Sequence, residues 1–176
     1  KNIRLKGMPA DGKSNTEAQY KTFTRVANDL EVVGDKVFVG TSKGSADSAS
    51  GGVFYSADNG GTWQAFGLEG KDVFSLAYDS IAKKLYAGTS SGVMVASTES
   101  DTASWTAVGS FTKPVYSLAI DPYSEGKVLM AGTDEGVSVI RDVTSGTWGE
   151  ISLGIKDAGK VKSVLIVSKP DTSIGM

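Results

Sequence analysis

Two aspartates, Asp79 and Asp121, stand 42 residues apart, each at the end of a short apolar run. A pair of carboxylates is what hydrolysis of a glycosidic bond requires. A second acidic pair, Asp134-Glu135, lies between two apolar segments, and Asp47 sits in a Ser/Gly/Ala-rich stretch. Lys43, Lys71, Lys113 and Lys156 complete the ionisable residues whose positions suggest ligand contact. The absences narrow the chemistry further. The chain has 176 residues with no cysteine and no histidine, so disulfides, thiolate metal sites, zinc chemistry and Ser-His-Asp catalysis are excluded. Neither Asp47 nor Asp134 lies in a loop with the oxygen spacing that calcium needs, so no metal and no cofactor is expected. Eighteen basic against 20 acidic residues give a net charge of −2, with Arg4, Arg25 and Arg141 as the arginines. That balance lacks the footprint of a nucleic-acid binder. No apolar run approaches the roughly 18 residues of a membrane span, so no membrane insertion is expected.

The elements that must position these residues are set out by a repeat. Trp63, Trp105 and Trp148 fall 42 and 43 residues apart. An apolar segment follows each one: Val73-Phe74-Ser75-Leu76-Ala77, Val115-Tyr116-Ser117-Leu118-Ala119 and Val161-Lys162-Ser163-Val164-Leu165. A Gly-Thr step precedes each, at Gly40-Thr41, Gly88-Thr89 and Gly132-Thr133. Short strands repeating at about 40–50 residues indicate an all-β chain built of four-stranded antiparallel β-propeller blades. Twenty-two glycines against four prolines suit its many hairpins. One blade is expected as Val26–Val33, Lys36–Gly40, Val53–Tyr55 and Thr62–Phe66. The next is Val73–Tyr78, alternating around Phe74, Leu76 and Tyr78, then Lys84–Gly88, Gly92–Ala96 and Ser104–Val108. The third is Val115–Ile120, Lys127–Gly132, Gly136–Ile140 and Gly146–Ile151.

The expected division is therefore 1–24 as an N-terminal strand (Asn2–Gly7) and polar connector, with a single helical turn over Asn15–Tyr20. Blades follow at 25–70, 71–112 and 113–152, and 153–176 begins a further blade at Val161–Ser168. Three blades and part of another leave open sheet edges, which propellers usually close by pairing their termini. The sequence favours a fragment of a larger ring over a small four-bladed ring or a ring closed by another copy. Lys1 is not an initiator residue, which suggests a processed or trimmed chain.

The most specific motif is Ser56-Ala57-Asp58-Asn59-Gly60-Gly61-Thr62-Trp63. Asp58 is placed to accept backbone amides in an Asx-type turn, Gly60 and Gly61 to take positive φ, and Trp63 to bury its indole against the neighbouring sheet. With Ser56, Asp58, Gly60, Thr62 and Trp63 in place, the segment resembles the Asp-box, the bacterial neuraminidase repeat. Two degenerate copies end at Trp105 and Trp148. Leu118–Pro122 and Ala131–Val137 resemble the segments between boxes in this superfamily, which includes sialidases, xyloglucan endoglucanases, sortilin-like receptor domains and photosystem assembly propellers. The resemblance spans roughly Val26 to Val167. Sialidase activity would imply three arginines on equivalent inner positions, and Arg4, Arg25 and Arg141 do not provide them. The resemblance also implies an extracytoplasmic or secreted protein.

Residues that recur at the repeat period serve to build the repeat. Asp79, Asp121, the box residues, Trp105 and Trp148 are therefore read as structural. Departures from the repeat are the binding candidates: Lys43, Asp47, Lys71, Lys113, Asp134, Glu135 and Lys156. All lie in turns after second strands or in connections between blades, which share one face of a propeller. The expected function is a non-catalytic module that binds carbohydrate or another protein, or assembles as an oligomer or with the remainder of a larger propeller. The alternative is a section of a secreted polysaccharide-active glycoside hydrolase. Unpartnered acids clustered on the loop face would favour that alternative.

Overall fold

A computed structural model describes residues 26–43, 51–124, 127–151 and 159–167. Among them are twelve strands and no helix. The first sheet contains β1 (Val26–Val33), β2 (Lys36–Ser42), β3 (Gly52–Ser56) and β4 (Gln64–Ala65). The second contains β5 (Val73–Asp79), β6 (Lys84–Thr89), β7 (Gly92–Ser97) and β8 (Thr106–Ala107). The third contains β9 (Val115–Ile120), β10 (Leu129–Thr133), β11 (Gly136–Ile140) and β12 (Gly149–Ile151). Each sheet is an antiparallel meander in chain order, and β1, β5 and β9 lie side by side as the inner strands. The chain is an all-β propeller of three blades with the approach to another. The expected N-terminal strand and the turn at Asn15–Tyr20 lie outside the described residues.

The Gly-Thr step explains how blades are joined. A Cβ on Gly40 would stand 2.7 Å from Cγ1 of Val73, and one on Gly88 2.8 Å from Cγ1 of Val115. Glycine is required because the next inner strand starts where a side chain would be. The adjacent threonine closes the following hairpin. Thr41, Thr89 and Thr133 are buried, and their hydroxyls donate to the carbonyls of Gly52, Gly92 and Gly136 at 3.1, 2.9 and 3.0 Å. The same joint recurs past the third blade: a Cβ on Gly132 would stand 2.7 Å from the Val161 carbonyl oxygen. Val161 N–H also donates to the Thr133 carbonyl at 2.8 Å. Residues 159–167 nevertheless form no strand beyond this one bond, so of the strand expected over Val161–Ser168 the described part is not formed, and Ser168 lies outside the described residues.

Two clusters fill the space between blades. Phe38, Tyr55, Phe66, Leu76, Leu85 and Ala87 pack between the first and second sheets. Tyr86, Val93, Val115, Leu118, Leu129 and Ile140 pack between the second and third. The middle sheet is therefore covered on both faces, and the alternation expected of Val73–Tyr78 fails: Val73, Ser75, Leu76, Ala77 and Asp79 are buried, while Phe74 and Tyr78 are half-buried. A strand between two packed neighbours has no solvent face to keep polar. The outer strands are shorter than expected, two or three residues each. Their tryptophans lie just ahead of the paired residues.

Gly88→Ala should destabilise the fold by about 1–3 kcal/mol through overpacking against Val115. Gly149→Ala is the control, since its Cβ would meet only the Val139 carbonyl at 3.8 Å. Urea denaturation of both variants checks this, and equal midpoints would mean that the blades are not held at this joint.

Candidate functional site

The turns β2–β3, β6–β7 and β10–β11 come together with the connections between blades on one face. Gly70 N–H donates to the Gly51 carbonyl at 3.0 Å and Ser90 N–H to the Asp72 carbonyl at 3.1 Å. Lys43 N–H donates to Asp72 Oδ1 at 2.8 Å, and Lys71 presents its carbonyl to Gly51. Asp47 and Lys156 lie outside the described residues. Asp79 and Asp121 belong to the opposite face and to turn chemistry. Asp79 Oδ1 accepts the amides of Ile81 and Ala82 at 2.8 and 3.0 Å, and Asp121 Oδ1 accepts that of Tyr123 at 3.0 Å.

On the loop face, two of the residues singled out in the sequence meet. Lys113 Nζ lies 2.6 Å from Glu135 Oε2 and 2.9 Å from Glu150 Oε1. These hydrogen bonds, to Glu135 first and Glu150 second, hold the Lys113 ammonium above its ordinary pKa. Pairs this exposed contribute roughly 0–1 kcal/mol to stability, so their consequence is positional. Beside them is an open groove of about 310 Å³ lined by Phe111, Lys113, Ser138, Trp148 and Glu150. The Phe111 and Trp148 rings lie 4.7 Å apart at 31° and form its apolar wall. Asp134 is exposed beside Glu135. Glu150 is a residue that sequence reasoning missed, although a signal existed. The corresponding residues two places after Trp63 and Trp105 are Ala65 and Ala107, so Glu150 breaks the repeat. Among the described residues no group of His, Cys, Asp or Glu could hold a metal ion.

The Ser56–Trp63 turn is closed by its own side chains. Asp58 Oδ1 accepts Thr62 N–H and Ser56 Oγ–H at 2.7 Å each, and Oδ2 accepts the Thr62 hydroxyl at 2.7 Å. Ser56 Oγ accepts Gly60 N–H at 2.8 Å. Hydrogen bonds from Thr62, backbone then hydroxyl, and from Ser56 lower the Asp58 pKa to about 2. Asn59 and Gly60 take the left-handed conformation, at φ 56° and 89°. Gly61, expected to share it, is needed instead for space: a Cβ there would be 3.0 Å from Asp58 Oδ2. Trp63 is 3% exposed and, among the described residues, packs with Ala27, Val39 and Phe54 of its own sheet. Trp105 and Trp148 do reach across. Their indole N–H groups donate to the carbonyls of Phe66 and Val108 in the preceding blade, at 2.7 and 2.8 Å.

No family model and no curated protein matches the sequence. Among solved structures, the chain is similar to the extracellular domain of BT4673 from B. thetaiotaomicron, described as a hybrid two-component system. The TM-score is 0.56 at 21% identity, over 72% of this chain and 16% of that one. It is also similar to the β-propeller domain of Cps50 (Swd1) from Myceliophteria thermophila, with a TM-score of 0.51 at 16% identity, over 70% of this chain and 37% of that one. The chain thus spans well under half the length of either. At these identities the likeness is one of fold.

Trp63→Ala should cost about 3–5 kcal/mol, read as a lower urea midpoint at unchanged slope, and a loss below about 1 kcal/mol would contradict the burial of the indole. Asp58 is ionised more readily in the folded chain than its usual pKa of 3.8 allows. Its contribution to stability is therefore complete above about pH 4 and lost as pH falls through about 2. Asp58→Asn should flatten the acid limb of the stability profile in that window; an unchanged limb would remove Asp58 as its source.

Proposed function

We propose that this chain is a non-catalytic binding or assembly module of the Asp-box propeller type, acting through its loop face outside the cytoplasm. The observation that carries the reading is Lys113 held between Glu135 and Glu150 beside the Phe111–Trp148 wall. An aromatic wall with fixed charges at its rim suits recognition of a carbohydrate or of another protein's surface. The Asp58-centred turn supports the Asp-box assignment. An extracytoplasmic location rests on that resemblance and agrees with a structural neighbour that is an extracellular domain.

Blades at 25–70, 71–112 and 113–152, after an N-terminal segment at 1–24, follow from the same reading. The repeat of the glycine joint at Gly132 and Val161 supports 153–176 as the start of a further blade. Leu165 and Val167, 79% and 84% exposed, are the apolar side chains such a blade would cover. The remainder of a larger propeller or a second copy would supply the missing strands.

The competing glycoside hydrolase reading has one observation in its favour, the gathering of Glu135 and Glu150. Both share the Lys113 ammonium, however, which weakens the case for either as a free acid or base. The test is a binding screen of oligosaccharides and peptides, alongside a reducing-end assay on polysaccharides. A ligand whose Kd rises about tenfold in Lys113→Ala is expected. New reducing ends that vanish in Glu150→Gln would overturn the binding-module reading.

A further inference from the structure

The inner strand of every blade slips register by one residue at the same place: between Ala27 and Asp29, between Val73 and Ser75, and between Val115 and Ser117. The extra residues are Asn28, Phe74 and Tyr116. Their neighbours repeat: Ala27, Val73 and Val115 before them are buried, and Leu30, Leu76 and Leu118 come two residues after. The bulged residues themselves do not repeat. A bulge takes one side chain out of the strand's alternation and re-aims it. Here that happens at the loop-face end of the inner strands, beside the axis about which the blades are arranged.

The re-aimed side chains form a row across the three blades. The Asn28 amide donates to the Val73 carbonyl at 2.6 Å and to Ser42 Oγ at 2.7 Å, which closes one end. The rings of Phe74 and Tyr116 follow, 5.2 Å apart and inclined at 33°. Lys160 Nζ lies 3.8 Å from the centre of the Tyr116 ring. Both rings are half-buried, and neither belongs to any of the core clusters. Two aromatic side chains outside the core, with exposed Lys160 and Lys162 next to them, are not explained by packing.

We propose that Phe74, Tyr116 and Lys160 form a ligand site for an acidic oligosaccharide, separate from the Phe111–Trp148 groove. The rings stack on the apolar C–H face of the sugar, and the Lys160 ammonium pairs with its carboxylate. Lys160 rests on Tyr116 until the ligand arrives, since an ammonium is attracted to a ring face. A carboxylate draws that ammonium away and frees the ring for stacking. A bound peptide strand fits less well, because the bulges interrupt the inner-strand edge along which it would pair. A polyphosphate chain fits less well still, because it offers no apolar face on which the two rings could stack.

The test uses trigalacturonate, the neutral galactose trimer and triglutamate as probes, titrated against the whole chain by calorimetry. Trigalacturonate should bind, with its Kd raised about tenfold by Tyr116→Ala or Phe74→Ala. Lys160→Gln, a surface change that leaves the core intact, should erase the preference for trigalacturonate over the neutral trimer. Added salt should do the same. Lys113→Ala should leave trigalacturonate binding unchanged. No trigalacturonate binding, binding indifferent to Tyr116→Ala and Lys160→Gln, or equal affinity for triglutamate would each overturn the proposal. Dependence on Lys113 in place of Tyr116 would overturn it too, moving the ligand to the groove and leaving the binding-module reading standing.

Discussion

Adjacent blades converge most closely at their inner strands, where the second strand of one blade must lie against the first strand of the next. A side chain at that point would hold the sheets apart. Gly40 and Gly88 remove it, and the valines at 73 and 115 occupy the space. This contact sets the separation and angle between sheets, and the two interior clusters fill whatever volume it leaves. Because packed interiors tolerate little change in volume, the joint and the clusters constrain each other.

The remaining regularities serve the same joint from further out. The threonine after each glycine clamps the hairpin that follows, so the turn keeps its place beside the next connection. At the outer edge, Trp105 and Trp148 each donate a hydrogen bond to the blade before them. A blade is thus fixed near the axis by the loss of a side chain and at the rim by a large one. The order this imposes on the loop face brings Lys113, from a connection, against Glu135 and Glu150, from a turn and an outer strand.

The residues proposed for binding stand where the repeat is broken. Glu150 stands where the other blades have alanine, and Phe74 and Tyr116 lie between residues that repeat closely while differing from Asn28. The acidic residues that do recur, Asp79 and Asp121, accept backbone amides in turns. Symmetry in the sequence therefore marks what builds the blade, and its exceptions are the residues on which the proposed binding sites draw.

The period of the tryptophans and the Gly-Thr steps was enough to determine the fold class, the three four-stranded sheets among the described residues and the extents of their inner strands to within one residue, because each blade is a local meander. Its hydrogen bonds join segments that follow one another in the chain, so short-range spacing carries the information. The Asp58 turn was legible for the same reason, save that Asn59 rather than Gly61 takes the left-handed conformation. What depended on contacts between blades was not legible. The burial of both faces of β5 is decided by the sheets packed on either side of it, and the partners of Lys113 come from a turn and an outer strand further along the chain. No local pattern encodes which face of a strand a neighbouring sheet will cover. The bulges at Asn28, Phe74 and Tyr116 belong to the same class: a one-residue slip leaves composition and period untouched, and only the folded register decides which side chain leaves the core.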